Sequence, residues 1–366
     1  MGLYYNNDLH FGEENMPQIL SRTWKYVPYL RDYEGVEYAN LYVAEKDVKK
    51  ILPEFLLDDW EDVLEKLAAF RRSLKISKIN LRENCFYDLV PTRFLMEYCE
   101  VKNRITEYVL DHVERPPRYE FILKVHQMLE DISNRKININ YKRARSYAKT
   151  PGTQMTRTLS APPYVKYKQF GTKTGRLTTD ATSFPILTLK KEFRTIVEPN
   201  NDFYIEMDFN GAEARTMTGL LGEQQPAEDI HQFHQESVFT GGLSRAQAKT
   251  AFFAWLYGSK DSATSSEGRS LAKYYKKEEI LQKYWDGQKV ETPLGKTIDN
   301  VDRHHALNYI IQSTTAELTL LQALKIEYFL RQHSSKSYLA FIIHDSIVLD
   351  MNKEDSHLLP SIKSLM

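Results

Sequence analysis

Apolar residues recur at helical spacing in several long segments of the chain. In its first part the clearest are residues 63–74 and 119–132, and farther on the same spacing predicts helices over residues 244–257 and 306–329. Residues 203–208 form instead a short apolar run that is typical of a strand and ends in a carboxylate. Two more apolar runs in residues 338–351 flank His344 and Asp345, which predicts a β-hairpin with these two residues at its tip.

The order of these elements, with helices first and strands and helices mixed afterwards, indicates the α+β class. Residues 150–185 are rich in proline and glycine and predict an irregular connection. No apolar run is long enough for a membrane span, and the N-terminal residues lack the apolar core of a secretory signal. Since Cys85 and Cys99 are the only cysteines, we expect reduced thiols and an intracellular, cytoplasmic protein.

Charge is distributed unevenly although the 366-residue chain, long enough for two or three domains, has a formal net charge of zero. Residues 1–131 carry 18 basic and 24 acidic residues, and residues 177–366 carry 20 and 25. Residues 132–176 carry 11 basic residues and no acidic one, with tyrosines between them. This composition suits a surface that binds phosphates and stacks on bases, although a solvated basic loop has the same composition.

Two aspartates stand at positions that fix a carboxylate rigidly. Asp208 ends the predicted strand and Asp345 lies at the predicted hairpin tip. Two such carboxylates brought together repel each other unless a cation lies between them, and Mg²⁺ prefers oxygen ligands of this kind. A pair of such ions can activate an attacking oxygen and stabilise a leaving one. Either aspartate alone is equally consistent with a strand end or a turn.

A four-residue repeat runs through the predicted helix at 244–257. Arg245, Lys249, Phe253 and Tyr257 form one stripe, in the order cation, cation, aromatic, aromatic. Cations suit the phosphates of a nucleotide and an aromatic face suits its base. An amphipathic helix that buries its aromatic residues would show the same spacing. Residues 171–179 add glycines and threonines that can donate to phosphates, with Arg176 as the charged anchor.

Together these residues resemble motifs A, B and C of the family A DNA polymerases, the bacterial DNA polymerase I type. The segment DFNGAEAR at 208–215 is similar to motif A, the stripe at 245–258 to motif B, and His344-Asp345 to motif C. The segments TGRL at 174–177 and DIH at 229–231 resemble two further elements, and Asn308-x3-Gln312 resembles the helix before motif C. The resemblance covers residues 171–350 firmly and 100–170 loosely.

The resemblance implies a right-hand polymerase with an antiparallel-sheet palm, helical fingers and a helical thumb. The regions it implies are a mainly helical N-terminal region with part of the thumb (1–131), a basic thumb–palm connection that contacts DNA (132–176), palm with motif A (177–225), fingers with motif B (226–287) and palm with motif C (288–366). The implied reaction is template-directed addition of deoxynucleotides to a primer 3′-OH, by two-metal-ion phosphoryl transfer with release of pyrophosphate.

The resemblance also implies roles for individual residues. The implied catalytic and metal-binding residues are Asp208, Asp345, Lys249 and the carbonyl of Phe209, with two Mg²⁺ ions for which Mn²⁺ can substitute. The implied nucleotide contacts are Arg245, Lys249 and His231 for the triphosphate, Phe253 for the base, Tyr257 as a gate at the template position and Glu213 as the steric gate against a 2′-OH. The implied DNA contacts are Lys173, Thr174, Arg176, Asn308, Gln312 and His344.

Some positions depart from the family pattern. Ser346 stands where the family has Glu after His-Asp, and we expect this to alter efficiency without abolishing activity. Ala254 and Ser313 replace glycines, Lys296 stands alone where an arginine-rich element is common, and Arg303 is shifted by one position. The chain ends soon after motif C, so the family's last strand is expected to be short or missing.

Residues 1–131 are too few for the usual 3′–5′ exonuclease domain. They also contain no DxE motif of the kind that opens such a domain, so we expect no proofreading.

The expected ligands are primer–template DNA and deoxynucleoside triphosphates, with a processivity factor or a replisome helicase–primase as further partners, no membrane and a monomeric chain. A phage or plasmid replicon, which would place the protein in a host cytoplasm, and a repair enzyme both fit. A single-subunit RNA polymerase or a reverse transcriptase is the first alternative, against which Glu213 and Phe253 favour deoxynucleotides. An inactive nucleic-acid-binding relic is the second alternative. The presence of Asp208, Lys249 and Asp345 together argues against it.

Overall fold

The computed structural model describes residues 37–44, 48–79, 81, 84, 86–148, 154–239, 242–258, 262 and 264–366, together with the backbone of residues 3–5 and 8–10. The chain divides into two units, Met1–Asp131 and Ile132–Met366. Helices and strands are mixed, as the sequence predicts. None of the helices in the described ranges is long and apolar enough to cross a membrane.

The first unit is mainly helical over its described residues. Its elements are β1 (Leu3–Tyr5), β2 (Asp8–His10), α1 (Ala39–Tyr42), α2 (Glu54–Ile76), α3 (Thr92–His112) and the start of α4 (Tyr119–Asn134). Helices α2 and α3 pack against each other through a shared apolar core that includes Val63, Leu67 and Tyr98. The helix predicted at 63–74 is confirmed and begins earlier, directly after Pro53. Cys99 is buried, and Cys85 lies outside the described residues, so the expectation of reduced thiols stays a prediction.

The second unit contains short strands and helices around one larger sheet. Its elements in the described ranges are β3 (Asn138–Ile139), α5 (Tyr141–Tyr147), α6 (Gln154–Ser160), β4 (Tyr167–Lys168), β5 (Thr178–Thr179), β6 (Val197–Glu198), β7 (Phe203–Asp208), α7 (Ala212–Leu220), α8 (Ile230–Phe233), α9 (Arg245–Leu256), α10 (Ser266–Tyr274), α11 (Lys277–Tyr284), β8 (Val290–Glu291), β9 (Thr297–Ile298), α12 (Arg303–Gln332), β10 (Tyr338–Ile343), β11 (Ser346–Met351) and α13 (Leu359–Ser364).

These elements confirm the strand, the hairpin and the three other helices predicted from the apolar pattern. Helix α9 begins after Ser244. The Ser244 hydroxyl accepts from the backbone N–H of Gln247, and the side-chain oxygen of Gln247 accepts from the backbone N–H of Ser244, which together form a capping box. Helix α6 was not predicted, because it lies in the proline- and glycine-rich connection. Residues 154–160 contain neither of these helix breakers, so a short helix fits between them. The division into five regions stays a prediction.

The larger sheet has three antiparallel strands in the order β10-β11-β7. The central strand β11 is buried along its whole length. Its register pairs Ser346 with Asp208 on one side and with Ile343 on the other, so the hairpin tip is His344-Asp345. His344 has φ 58°, a left-handed conformation that two-residue hairpin turns require. The end of β7 therefore lies beside the hairpin tip.

Helix α7 follows β7 through a turn that only glycine accommodates well. Gly211 has φ 62°, and a Cβ there would collide with the side chain of Ile230. Helix α7 then packs against α12, where the hydroxyls of Thr216 and Thr315 are 3.0 Å apart. The first turn of α7, which contains Glu213, is thereby held close to the end of β7.

A tyrosine closes the outer edge of β10. The buried hydroxyl of Tyr167 donates to the carbonyl of Ile342 at 2.8 Å and accepts from its N–H at 3.1 Å. A backbone N–H and C=O at a sheet edge need partners when they are buried, and here one phenol satisfies both. Burial raises the pKa of Tyr167, so the hydroxyl stays protonated and able to donate.

At the opposite end of the sheet, a buried carboxylate fixes the turn that leads into β7. Asp350 is fully buried and accepts from the backbone N–H groups of Asn200 at 2.7 Å and Asn201 at 2.9 Å. The hydroxyl of Tyr338 donates to the same carboxylate at 2.9 Å. One side chain of β11 thus ties β7 and β10 together.

We expect Asp350→Ala to lower the free energy of unfolding by about 3 kcal/mol, because it removes the fully buried acceptor of the hydrogen bonds from Asn200, Asn201 and Tyr338. Urea denaturation followed by circular dichroism measures this change. The matched control is Glu354→Ala, an exposed carboxylate paired with Lys336, which we expect to cost roughly 0.5 kcal/mol or less. Equal effects of the two substitutions would contradict the role of Asp350.

Candidate active site

Asp208 and Asp345 come together where β7 meets the hairpin tip. Burial raises the pKa of Asp345, and the negative charge of Asp208 raises it further. A carboxylate whose ionisation is opposed by a neighbouring carboxylate forms with it an oxygen-rich site that suits a divalent cation. Over the described ranges no group of three or more His, Cys, Asp or Glu side chains could hold a metal ion, so this pair would depend on backbone, substrate or water oxygens for its other ligands.

A hydroxyl on the central strand contacts the first of these carboxylates. Ser346 Oγ donates to Asp208 Oδ1 at 3.0 Å, and Ser346 is buried. In the sequence, Ser346 stands out only as a departure from the family pattern. The contact could not be predicted without the register of β11 against β7.

Glu213 is a buried carboxylate clamped by two partners. Arg176 forms an ion pair with it, and the hydroxyl of Tyr257 donates to both of its oxygens, at 3.1 and 3.0 Å. Burial raises the pKa of Glu213, and these two partners oppose the shift. A small cavity is lined by Arg176, Glu213, His344 and Asp345, which brings together three segments that the sequence singled out separately.

Arg245 is held by a carboxylate from another segment. Its Nε and Nη2 donate to the two oxygens of Asp229 at 2.9 and 2.7 Å, a bidentate pair. Asp229 also accepts from the backbone N–H groups of His231 and Gln232, each at 3.0 Å, and from Asn210 Nδ2 at 2.7 Å. Arg245 and these other donors hold the pKa of Asp229 well below its usual range. In the sequence, Asp229 is visible as part of the DIH segment, but no local pattern identifies it as the partner of Arg245.

His231 is buried beside the cationic end of α9. Burial lowers the pKa of His231 to about 4, and the positive charges of Lys249 and Arg245 lower it as well, while Asp229 opposes the shift. Its ring centroid lies 5.9 Å from that of Phe253. His231 is therefore neutral near pH 7 and can offer a hydrogen bond but no charge.

The burial of residues on α9 distinguishes the two interpretations of its spacing, which are a nucleotide-binding stripe and the core side of an amphipathic helix. Phe252 and Trp255 are the aromatic residues that α9 buries. Phe253 is half-buried and Tyr257 is 45% exposed, with their rings stacked at 5.8 Å and 13°. Lys249 is exposed and has no ion pair within the part of the chain that the structure describes. The stripe is therefore accessible along its length and is not simply the core side of an amphipathic helix.

The residues that were predicted to contact DNA do not form one cluster as Asp208 and Asp345 do. Lys173 and His344 are exposed, but Thr174 is buried, and Arg176 is engaged with Glu213. Asn308 and Gln312 lie half-buried on α12. Among the described residues, Asn308 Oδ1 is buried without a hydrogen-bond partner. The structure provides no contact of Asn308 or Gln312 with the carboxylate pair in the ranges it describes.

Comparison with solved structures relates this geometry to a known fold. The chain is similar to the polymerase domain of Pol1 from M. smegmatis, solved in complex with a DNA primer-template and a dNTP. The TM-score is 0.52 and the identity 13%, over 75% of this chain and 71% of that chain. No protein-family model matches the chain, and no curated protein matches it. The likeness shows a polymerase-like fold.

We expect the imidazole of His231 to titrate near pH 4 instead of 6.5, as followed by NMR of its ring nitrogens. The His231 imidazole takes up its proton near pH 6.5 in the unfolded chain but only near pH 4 in the folded chain. Protonation therefore favours the unfolded chain, and the free energy of unfolding decreases as the pH falls from 6.5 to 4. Lys249→Met should raise the pKa of His231, since a nearby positive charge is removed. Lys336→Met is the control that should leave it unchanged, and an equal shift in both variants would contradict the assigned contact.

Proposed function

We propose that this chain is a template-directed DNA polymerase of the family A type, which extends a primer 3′-OH with deoxynucleotides. The observation that carries the proposal is the meeting of Asp208 and Asp345 at the end of β7, next to a buried Glu213 that is bonded to Tyr257 of the α9 segment. The polymerase-like fold and the order of the motif-like segments support it. The antiparallel sheet would be the palm, the α9 region the fingers, and helices of the first unit part of the thumb.

Two Mg²⁺ ions would be held by Asp208, Asp345 and the backbone carbonyl of Phe209. When bound, the ions would supply activation of the attacking hydroxyl and stabilisation of the leaving pyrophosphate. The donor set fits this role, because burial and then the charge of Asp208 raise the pKa of Asp345, and a cation between the two carboxylates would offset both effects. Mn²⁺ prefers similar oxygen ligands and is expected to substitute.

The α9 stripe would bind the incoming nucleotide. Lys249 is exposed and would bind the triphosphate as a point charge, whereas Arg245 would bind it while anchored by Asp229. Neutral His231 would contribute a hydrogen bond to the same phosphates. Phe253 would stack on the base, and Tyr257 would gate the template position. These contacts position the reacting groups, which is most of what phosphoryl transfer requires from a protein.

Glu213 would select the sugar. Its carboxylate is held from two sides by Arg176 and Tyr257, so it forms a fixed wall beside Asp345 rather than a mobile side chain. A ribose 2′-OH would meet this wall, whereas a deoxyribose would pass it. Because the Arg176 guanidinium is paired with Glu213, only part of it would be left to contact the primer–template.

Segment 132–176, which has no acidic residue, would contact primer–template DNA through its 11 basic residues, Lys173 and Arg176 among them, and through Thr174. Asn308, Gln312 and His344 would add contacts from outside this segment. We further propose an intracellular, monomeric enzyme that lacks 3′–5′ exonuclease activity in this chain. A processivity factor or a helicase–primase would be an additional partner.

Primer extension with Mg²⁺ and each dNTP or rNTP tests the proposal. We expect the wild-type chain to extend a labelled primer by template-directed addition of dNTPs without degrading it. Asp208→Asn and Asp345→Asn should each lower kcat by about 10²–10³-fold or more, because a charge that acts in the transition state is lost. Duplex affinity, measured by fluorescence anisotropy, should change less than about twofold, since phosphate contacts dominate it.

The matched control is Glu206→Gln, which neutralises a carboxylate on the same strand, two residues before Asp208. Extension by this variant should stay near that of the wild type. Full activity of either Asp variant would contradict the two-metal assignment, and extension with rNTPs alone would favour an RNA polymerase. DNA binding without any extension by the wild type would favour the inactive relic.

Glu213→Ala should raise the ratio of ribonucleotide to deoxynucleotide kcat/KM by roughly tenfold or more, because the wall against the 2′-OH is removed. Single-nucleotide incorporation kinetics with matched dNTP and rNTP measure this ratio. A thermal melt must accompany the assay, since the substitution leaves Arg176 without its carboxylate. An unchanged ratio in a folded variant would remove the steric-gate role.

A further inference from the structure

The contact between Ser346 and Asp208 joins two strands at the candidate metal site. The two residues are directly opposite in the β7–β11 register, so their side chains share one face of the sheet. Ser346 Oγ donates to Asp208 Oδ1 at 3.0 Å, and only 6% of Ser346 is exposed. The hydroxyl is thus fixed by burial and directed at one of the two carboxylates proposed to bind metal.

Within the ranges that the structure describes, Ser346 is the one residue hydrogen-bonded to the Asp208 side chain. A carboxylate at the end of an edge strand can otherwise adopt several rotamers, and ordering it on binding a cation would cost conformational entropy. A hydrogen bond from a buried hydroxyl to a charged oxygen is strong enough to select one rotamer in advance. It also leaves Oδ2 for a cation.

The residue type matters for charge as well as geometry. Ser346 is neutral, so the pair of Asp208 and Asp345 keeps two carboxylates at this point. A glutamate at the same position, which the family pattern has, would add a third negative charge beside Asp208 and Asp345 and increase the repulsion between carboxylates there. The serine therefore orients Asp208 without increasing this repulsion.

On this basis, and resting on the proposed polymerase function, we propose that Ser346 is a positioning residue that holds the Asp208 carboxylate in the orientation that binds a divalent cation. Partners of this kind behind metal-binding carboxylates strengthen metal affinity, and their removal weakens it. The proposal concerns binding of the ion by the chain alone and needs no turnover to be tested.

The test is a titration of the full-length chain with Mn²⁺, in which the electron paramagnetic resonance signal of free aqueous Mn²⁺ gives the dissociation constant. We expect Ser346→Ala to raise this constant about tenfold, a loss typical of a residue that orients a metal ligand. Ser346→Thr keeps the hydroxyl and should restore most of the affinity. Thermal melts of all variants report folding separately.

Ser337→Ala is the matched control. Ser337 is also a buried serine whose hydroxyl donates to a carboxylate, Asp355 at 2.7 Å, but it lies next to the start of β10, away from the hairpin tip. Its loss should lower the melting temperature and leave the Mn²⁺ dissociation constant unchanged. A merely structural role for Ser346 would give the same pattern as this control.

An unchanged Mn²⁺ affinity in Ser346→Ala would overturn the positioning role, as would a folded Ser346→Thr that binds as weakly as the alanine variant. Primer extension by the wild type, run in parallel, separates this result from the proposed function. If the wild type extends primers while Ser346→Ala binds Mn²⁺ normally, only the positioning role is wrong. If the wild type neither binds Mn²⁺ nor extends primers, both proposals are wrong.

Discussion

The antiparallel register between β7 and β11 is the constraint on which the candidate site depends. It places Asp208 opposite Ser346 and therefore next to the two-residue tip that contains Asp345. A slip by one residue would turn every side chain of β7 to the other face of the sheet and separate the carboxylates. Asp350 holds the far end of the same strands through Asn200 and Asn201, so the register is fixed at both ends.

Around this sheet, the two arginines proposed to contact phosphates, Arg176 those of the primer–template and Arg245 those of the nucleotide, are already held by carboxylates of the chain. Arg176 pairs with Glu213, and Arg245 pairs with Asp229. Each arginine is thereby oriented before any phosphate arrives, which reduces the entropy lost on binding. The exposed Lys249 differs from both, because it is free of ion pairs within the described ranges. A zero net charge is therefore compatible with strong local attraction for a polyanion.

Periodicity in the sequence predicted the elements but not the contacts between them. The stripe of α9 and the hairpin tip follow from local spacing, because helices and turns are set by residues close in the chain. The bonds of Ser346 to Asp208 and of Asp229 to Arg245 join separate segments, and only the folded register brings them together. Helix α6 was missed for the opposite reason, since flanking prolines and glycines masked a short helical stretch.

The phenol of Tyr167 has a consequence for how the sheet meets other molecules. An open strand edge is a template on which a second chain can add a strand and start aggregation. At Ile342 the donor and acceptor of that template are both occupied by one side chain, and burial keeps the phenol protonated at physiological pH. The β10 edge is thus closed at Ile342 by hydrogen bonds to a side chain of the same protein, so a second copy cannot pair with these two backbone groups.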